Sequence, residues 1–495
     1  MHRRTFIQGG LALASMPLLA RGGEGTSTAP AHWSLGWQGV SQDAFAPKAL
    51  TVSGRLPAAL QGGALYRNGP ARLERAGVRY RHWFDGDGML QRFRIGAESI
   101  VHDGRFIQTP KYQEEQAAGR FLYNAAGTEL AQAIGSRNND SGNVANTALL
   151  PWDDELLALW EGGSAYRLDP DSLETLGRKD WSDELQHMPF SAHPLRERDG
   201  TLWNVGSAPY AGKSGTLFVY RISGDGTVID AQPITTQIPG YLHSFAMSDR
   251  YLMFYLGPHV FEHGGNTFVD SFRWTPDLGS RVLVVDKDDL SQQQWFEAPP
   301  GFAFHCADAW QEGSDVVMRL CLYDDASVMH SGMFALLERS ENALPSYPAF
   351  ARASMATVRA STRDGRLRVD SASELMEFPV TDGRATDGAS PVFGVGHGDA
   401  SHPTFSNAVI RVMPRTGEVE RFVFGERRIV EEPLFVPQGG IGEGWLIGTF
   451  LDLDKRRSGV YVLDAARLAE GPVALASMDR ILPLGFHGCF TPRTA

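Results

Sequence analysis

The sequence predicts an all-β protein of the β-propeller type, and three observations carry that expectation. Short runs rich in branched and aromatic residues recur along the chain: Thr216 to Ile222, Tyr251 to Leu256, Arg281 to Asp286, Asp315 to Tyr323 and Ser458 to Asp464. Turn clusters such as Asp169-Pro170-Asp171 and Ser223-Gly-Asp-Gly226 bound runs of this kind. Sustained helical periodicity is missing, apart from a short stretch near Glu129 to Ile134. Four histidines in apolar or small-residue settings, His193, His243, His305 and His487, stand 50, 62 and 182 residues apart. Those intervals match one, one and three units of about 60 residues set around an axis, each histidine pointing inward from a different blade.

In chain order, residues 1–23 read as an export signal and not as part of the fold. Arg3-Arg4 precedes Phe6, and the apolar stretch from Gly9 to Ala20 is too short to span a bilayer as a permanent helix. Paired arginines followed by a weakly hydrophobic core resemble a twin-arginine signal, which places the mature protein in the periplasm. Next, Tyr80 to Phe84 and Met89 to Phe93 read as two strands of a hairpin around Asp85-Gly-Asp-Gly88. A calcium loop is the competing reading of that turn, but EF-hand spacing asks for a ligand and a glycine where Met89 and Leu90 stand. From residue 24 to residue 495 the chain is expected to form one propeller domain. A length of 495 residues suggests about three domains, yet no Pro/Ser-rich linker divides it, and its 54 glycines are spread as many tight turns require.

Charge and cysteine usage exclude several functions. A net charge of −12 argues against nucleic acid and against electrostatic docking on anionic lipid, so membrane contact would run through apolar loops. Three cysteines, Cys306, Cys321 and Cys489, cannot make a disulfide framework. Cys306 adjoins His305, but side chains alternate along a strand, so it should face away. Cys489 shares the face of His487 and reads as a small buried hydrophobe.

The histidines carry the chemistry. A lone histidine in an apolar strand is more often a hydrogen-bonded core residue than a ligand, and these intervals are far too long for a local zinc knuckle or a helical pair. Imidazole among aromatic residues nevertheless calls for something to compensate its nitrogens, and a divalent metal is one such partner. A four-imidazole centre assembled by the tertiary fold is the resulting hypothesis.

Motifs along nearly the whole chain, taken together, resemble those of the carotenoid cleavage oxygenase family, which includes the retinal pigment epithelium protein, apocarotenoid oxygenases and lignostilbene dioxygenases. They are Tyr66-Arg-Asn-Gly-Pro70, His82-Trp-Phe-Asp-Gly-Asp-Gly-Met89, Asn143-Val-Ala-Asn-Thr147, Leu156-Leu-Ala-Leu-Trp-Glu161, Ala192-His193-Pro194, His243-Ser-Phe-Ala-Met247, Phe304-His305-Cys-Ala-Asp-Ala-Trp310, Met376-Glu377-Phe-Pro379, Glu432-Pro-Leu-Phe-Val-Pro437 and Gly485-Phe-His487-Gly488. Ser244 and Cys306 depart from residues common in the family, but neither position is a ligand there.

The resemblance implies seven blades with a loop and helix cap over an iron site, and Fe(2+) held by His193, His243, His305 and His487 as the catalytic centre. It further implies that Glu161, Glu377 and Glu432 accept the outward N–H of three of the four rings, fixing tautomer and ring direction. Iron(II) in such a site hands electrons to dioxygen, whereas a closed four-histidine zinc site would be structural. The implied reaction is cleavage of a conjugated C=C bond of a carotenoid or apocarotenoid by O2, giving aldehyde or ketone products, with no organic cofactor. The substrate is an apolar polyene entering an aromatic-lined tunnel.

Two rivals stay open. A lignostilbene-type dioxygenase would bind a substrate phenol through a tyrosine and a lysine, but no lysine occurs between Lys111 and Lys179, and the corresponding strand reads Gly104-Arg-Phe106-Ile-Gln-Thr109. A periplasmic propeller carrying an apolar ligand over a structural metal belongs to another class. Isomerisation without oxygen incorporation, a third outcome known within the family, stays open as well. The oligomeric state is not legible.

Overall fold

In residues 32–338, 352–398, 405–414 and 416–492, the part described by the computed structural model, the regular structure is mostly β-strand, and most strands pair antiparallel with a sequence neighbour. Three successive four-stranded sheets occupy the second quarter and the middle of the chain. The first runs from Ala148–Trp152 to Thr175–Arg178, the second from Leu195–Arg196 to Val228–Thr235, and the third from Ala246–Met247 to Gln293–Ala298. A seven-stranded sheet follows, from Phe302–Glu312 to Val419–Val423, with the long strand Leu367–Thr381 joining its two halves.

The first and last of the described strands share an eleven-stranded sheet. Ala44–Gly54 lies between Ile100–Phe106 and Pro472–Met478, and Ala64–Arg67 lies between Asp87–Ile95 and Gly488–Thr491. This pairing carries the C-terminal strand, with His487 immediately before it, back to the start of the fold.

The strand runs are apolar on both faces because each sheet is covered on both sides. In Thr216–Ile222, Leu217 and Val219 join a core with Leu252, Phe254 and Leu283 of the next sheet. Tyr220 and Ile222, on the other face, pack against Trp152, Leu157 and Leu159 of the preceding one. The same relation repeats onward: Met253 and Val282 meet Met318 and Val358, then Phe393 and Val409 meet Leu446 and Tyr461. Finally Ile447 and Val460 meet Leu65 and Phe93 of the first strands.

Two expectations from the sequence are corrected here. Glu129 to Ile134 is turn and coil, and among the described residues the α-helices lie instead at Pro110–Ala118 and Met333–Glu338. The first of these starts on Thr109, whose hydroxyl oxygen accepts from the Tyr112 N–H at 3.1 Å, and Pro110 suits the first helical position. The hairpin expected around residues 85–88 is absent as well. Trp83–Asp85 is a short 3-10 turn, because the buried Asp85 carboxylate draws in the N–H groups of His82 at 3.0 Å and Gly127 at 2.7 Å. Asp87–Ile95 then pairs with Ala64–Arg67 and Ile100–Phe106. The signal-like segment 1–23 lies outside the described residues.

Candidate metal centre

Each of the four histidines stands at or near the start of a strand of a different part of the fold. His193 precedes Leu195–Arg196, His243 precedes Ala246–Met247, His305 is the fourth residue of Phe302–Glu312, and His487 precedes Gly488–Thr491. The fold brings these strand starts together, and the four imidazoles converge so that one nitrogen from each lies within 4.8 Å of all the others. Nε2 of His193 is 2.9 Å from Nε2 of His243, and Nε2 of His305 is 3.1 Å from Nε2 of His487. No cysteine belongs to this group among the described residues. Cys306 faces away, its Sγ 3.7 Å from the Met318 sulfur, and burial pushes its thiol up to about 12.

Three carboxylates fix three of the rings. Nδ1–H of His243 donates to Glu161 Oε2 at 2.6 Å, that of His305 to Glu377 Oε2 at 2.5 Å, and that of His487 to Glu432 Oε1 at 2.7 Å. A neutral imidazole that donates through Nδ1 has only a lone pair at Nε2. His305 and His487 therefore turn two bare acceptor nitrogens toward each other at 3.1 Å, an arrangement that repels unless a cation lies between them. Extra protons are a poor substitute, since burial and then the His305 and His243 imidazoles hold His487 well below the ordinary histidine range. Burial, then the rings of His243, His487 and His305, do the same to His193. Two nitrogens each about 2.1 Å from one ion and at right angles about it stand about 3.0 Å apart, so the observed spacings fit a shared metal.

Sequence reasoning missed the layer behind the carboxylates. The Tyr241 hydroxyl donates to Glu161 Oε1 at 2.9 Å. Arg67, 3% exposed, donates to Glu432 Oε2 at 2.7 Å, and Gly488 N–H donates to the same oxygen at 2.9 Å. Phe378 N–H donates to Glu377 Oε2 at 2.7 Å. Burial pushes the Glu432 carboxyl up, and Arg67 opposes that shift. Tyr241 lies two residues before His243, and Arg67 lies within Tyr66-Arg-Asn-Gly-Pro70; those positions are the signals that point to them.

A cavity of about 610 Å³ adjoins the histidines and the three glutamates. Trp83, Phe84, Phe304, Phe378 and Phe486 are among its walls near the imidazoles, and exposed Asn138, Tyr210 and Phe268 border it toward solvent. No lysine lines it among the described residues. Phe106, expected to mark the phenol-binding strand, is elsewhere: fully buried, with its ring stacked on Tyr112 at 5.2 Å. Its identity therefore says nothing about a phenol. Lys111 is likewise sealed away, its ammonium 2.8 Å from Asp87 and 3.0 Å from Glu115.

Comparison with known proteins gives one consistent picture. The family model described as retinal pigment epithelial membrane protein matches residues 40–492. The chain is 30% identical to apocarotenoid-15,15'-oxygenase of Synechocystis over 93% of its own length and 96% of that protein. It is 29% identical to a carotenoid 9,10(9',10')-cleavage dioxygenase of Pisum sativum, over 94% and 90% of the two chains. Isoeugenol monooxygenase of Pseudomonas nitroreducens is 25% identical over 90% of this chain and 94% of that one. Among solved structures, cobalt-substituted Synechocystis apocarotenoid oxygenase superposes with a TM-score of 0.80 at 25% identity, covering 93% of this chain and 98% of the other.

Proposed function

The chain belongs to the family of retinal pigment epithelial membrane protein, the carotenoid cleavage oxygenases, and on that premise we propose that it is a non-haem iron(II) dioxygenase cleaving a conjugated double bond of a carotenoid or apocarotenoid. The observation that carries this reading is the set of four converging imidazoles, three of them tied to carboxylates, opening on an aromatic cavity. Iron(II), held there by the four imidazoles, would supply redox chemistry toward dioxygen. One O2 and one C=C bond give two carbonyl products, so the balance needs no further reductant.

The chain's own residues have separable tasks in this reaction. His193, His243, His305 and His487 would hold the metal through Nε2. Glu161, Glu377 and Glu432 keep the Nδ1 proton on their rings and so keep Nε2 free to bind. The aromatic walls exclude water and orient an apolar chain past the imidazoles. No lysine stands in the cavity wall among the described residues to meet a phenolate, which favours a polyene. The isoeugenol monooxygenase relatives favour a second reading, a phenylpropene or stilbene substrate.

The architecture is read as one seven-bladed propeller formed by residues 24–495. Support comes from three separate four-stranded sheets, two halves of the seven-stranded sheet, two halves of the eleven-stranded sheet, and apolar cores that lead from each unit to the next and back to the first strands. Arg3 and Arg4 direct export of the folded protein to the periplasm. Incubating the iron-loaded protein with carotenoids, apocarotenals, isoeugenol and hydroxystilbenes, with products identified by mass, tests the function. Cleaved polyenes support it, and cleavage of phenolic substrates alone overturns the substrate class.

A further inference from the structure

Glu377 is followed by a break in the sheet. In the strand Leu367–Thr381, Glu377 faces Val395, but Val380 already faces Phe393, so the chain carries one residue more than its partner between these pairs. Phe378 occupies the bulge with φ of 52°, a left-handed conformation that a bulky side chain rarely takes. The local sequence does not favour it, since Pro379 steers the preceding residue toward extended backbone. The partner strand makes room: a Cβ on Gly394 would lie 2.7 Å from the Glu377 carbonyl oxygen.

The strained turn has two effects at the centre. It brings the Phe378 N–H onto Glu377 Oε2 at 2.7 Å, the same oxygen that takes the His305 Nδ1 proton. It also lays the Phe378 ring across two imidazoles, with centroids 5.0 Å from His305 and 5.2 Å from His487, while the ring lines the cavity. A backbone held against its preference next to a functional cluster points to a role for the side chain it displays.

We propose that Phe378 is a positioning residue of the four-histidine centre. Its bulge aims the ring over His305 and His487 from the cavity side, fixes the planes of both rings, and keeps water from the Glu377–His305 hydrogen bond. The inference rests on the metal-centre reading given above.

The test uses full-length protein loaded with cobalt(II), comparing wild type with Phe378→Leu, Phe378→Gly and Phe378→Tyr. The readouts are the visible spectrum of the cobalt, its rate of loss to a chelator, and the melting temperature of the metal-free protein. Leu and Gly should lose cobalt about tenfold faster with a changed spectrum, while Tyr, which keeps the ring, should match wild type. The metal-free Gly variant should melt no lower than the Leu variant, because glycine takes a positive φ without strain. Wild-type spectrum and release rate in Leu and Gly would overturn the proposal, even with a lowered melting temperature, as would a Tyr variant behaving like Leu. Wild-type protein that takes up no cobalt would instead bring down the metal centre itself, and this role with it.

Discussion

Replacing each outer carboxylate by glutamine should weaken metal binding by three different amounts, in an order set by what surrounds its second oxygen. The bond to the ring is common to all three. An ionised acceptor contributes about 1.5–3 kcal/mol against about 1 kcal/mol for a neutral one, so its loss alone costs roughly 1 kcal/mol, about fivefold in affinity. At Glu161 little more is lost, because the Tyr241 hydroxyl now donating to Oε1 can turn and accept from the new amide. At Glu377 the amide N–H2 replaces Oε1, which is buried without a partner, and an unsatisfied buried donor adds about 1–3 kcal/mol. At Glu432 both oxygens are already occupied by donors, His487 on one and Arg67 with Gly488 on the other, so either orientation sets donor against donor. It also leaves Arg67, 3% exposed, with Glu431 at 3.7 Å as its sole anionic partner among the described residues. The summed loss there is about 3–5 kcal/mol, divided between metal affinity and the stability of the fold. Calorimetric titration of cobalt(II) into the three metal-free variants, with their melting temperatures, measures the order Glu161 < Glu377 < Glu432. Equal losses, or Glu161→Gln as the weakest binder, would refute the reasoning.

Alanine in place of any one of His193, His243, His305 or His487 should abolish turnover and stoichiometric metal uptake; an active variant with full metal content would remove that residue from the centre. Lys111→Met leaves the buried Glu115 carboxylate without its cation and Asp87 with Arg75 at 3.9 Å, and should destabilise the protein by about 3–5 kcal/mol in urea unfolding, whereas a loss under about 1 kcal/mol would show the cluster to be replaceable. Changing Arg3 and Arg4 together to lysine should leave the precursor in the cytoplasm, as fractionation would show; unchanged periplasmic yield contradicts the export reading. An apocarotenal should be cleaved at least about tenfold faster in kcat/KM than a 4-hydroxystilbene, equivalent to about 1.4 kcal/mol, and a stilbene preference would assign the cavity to phenols.

The strands and the four histidines were legible because both are written locally, as apolar runs between turns and as short motifs. The residues behind them were not. Arg67 meets Glu432 across 365 residues, and nothing near Arg67 reveals that partner. The helix Pro110–Ala118 escaped for a related reason. Its buried positions are Lys111, Tyr112 and Glu115, held by ion pairs and hydrogen bonds, so no apolar stripe marks its period. Phe378 was visible as part of Glu-Phe-Pro, but its left-handed backbone is imposed by the neighbouring strand against the preference of its own sequence. The misplaced hairpin at Asp85 has the same origin, since the carboxylate is claimed by Gly127 and Thr128 from a distant loop.

The central claim, that these four histidines hold iron to split a polyene with dioxygen, is tested most directly by supplying the iron-loaded protein with an apocarotenal under isotopically labelled O2 and weighing the products. The account predicts two carbonyl fragments whose masses sum to that of the substrate plus one O2, and none from protein freed of metal. An intact or merely isomerised polyene, or cleavage that persists without metal, would contradict it.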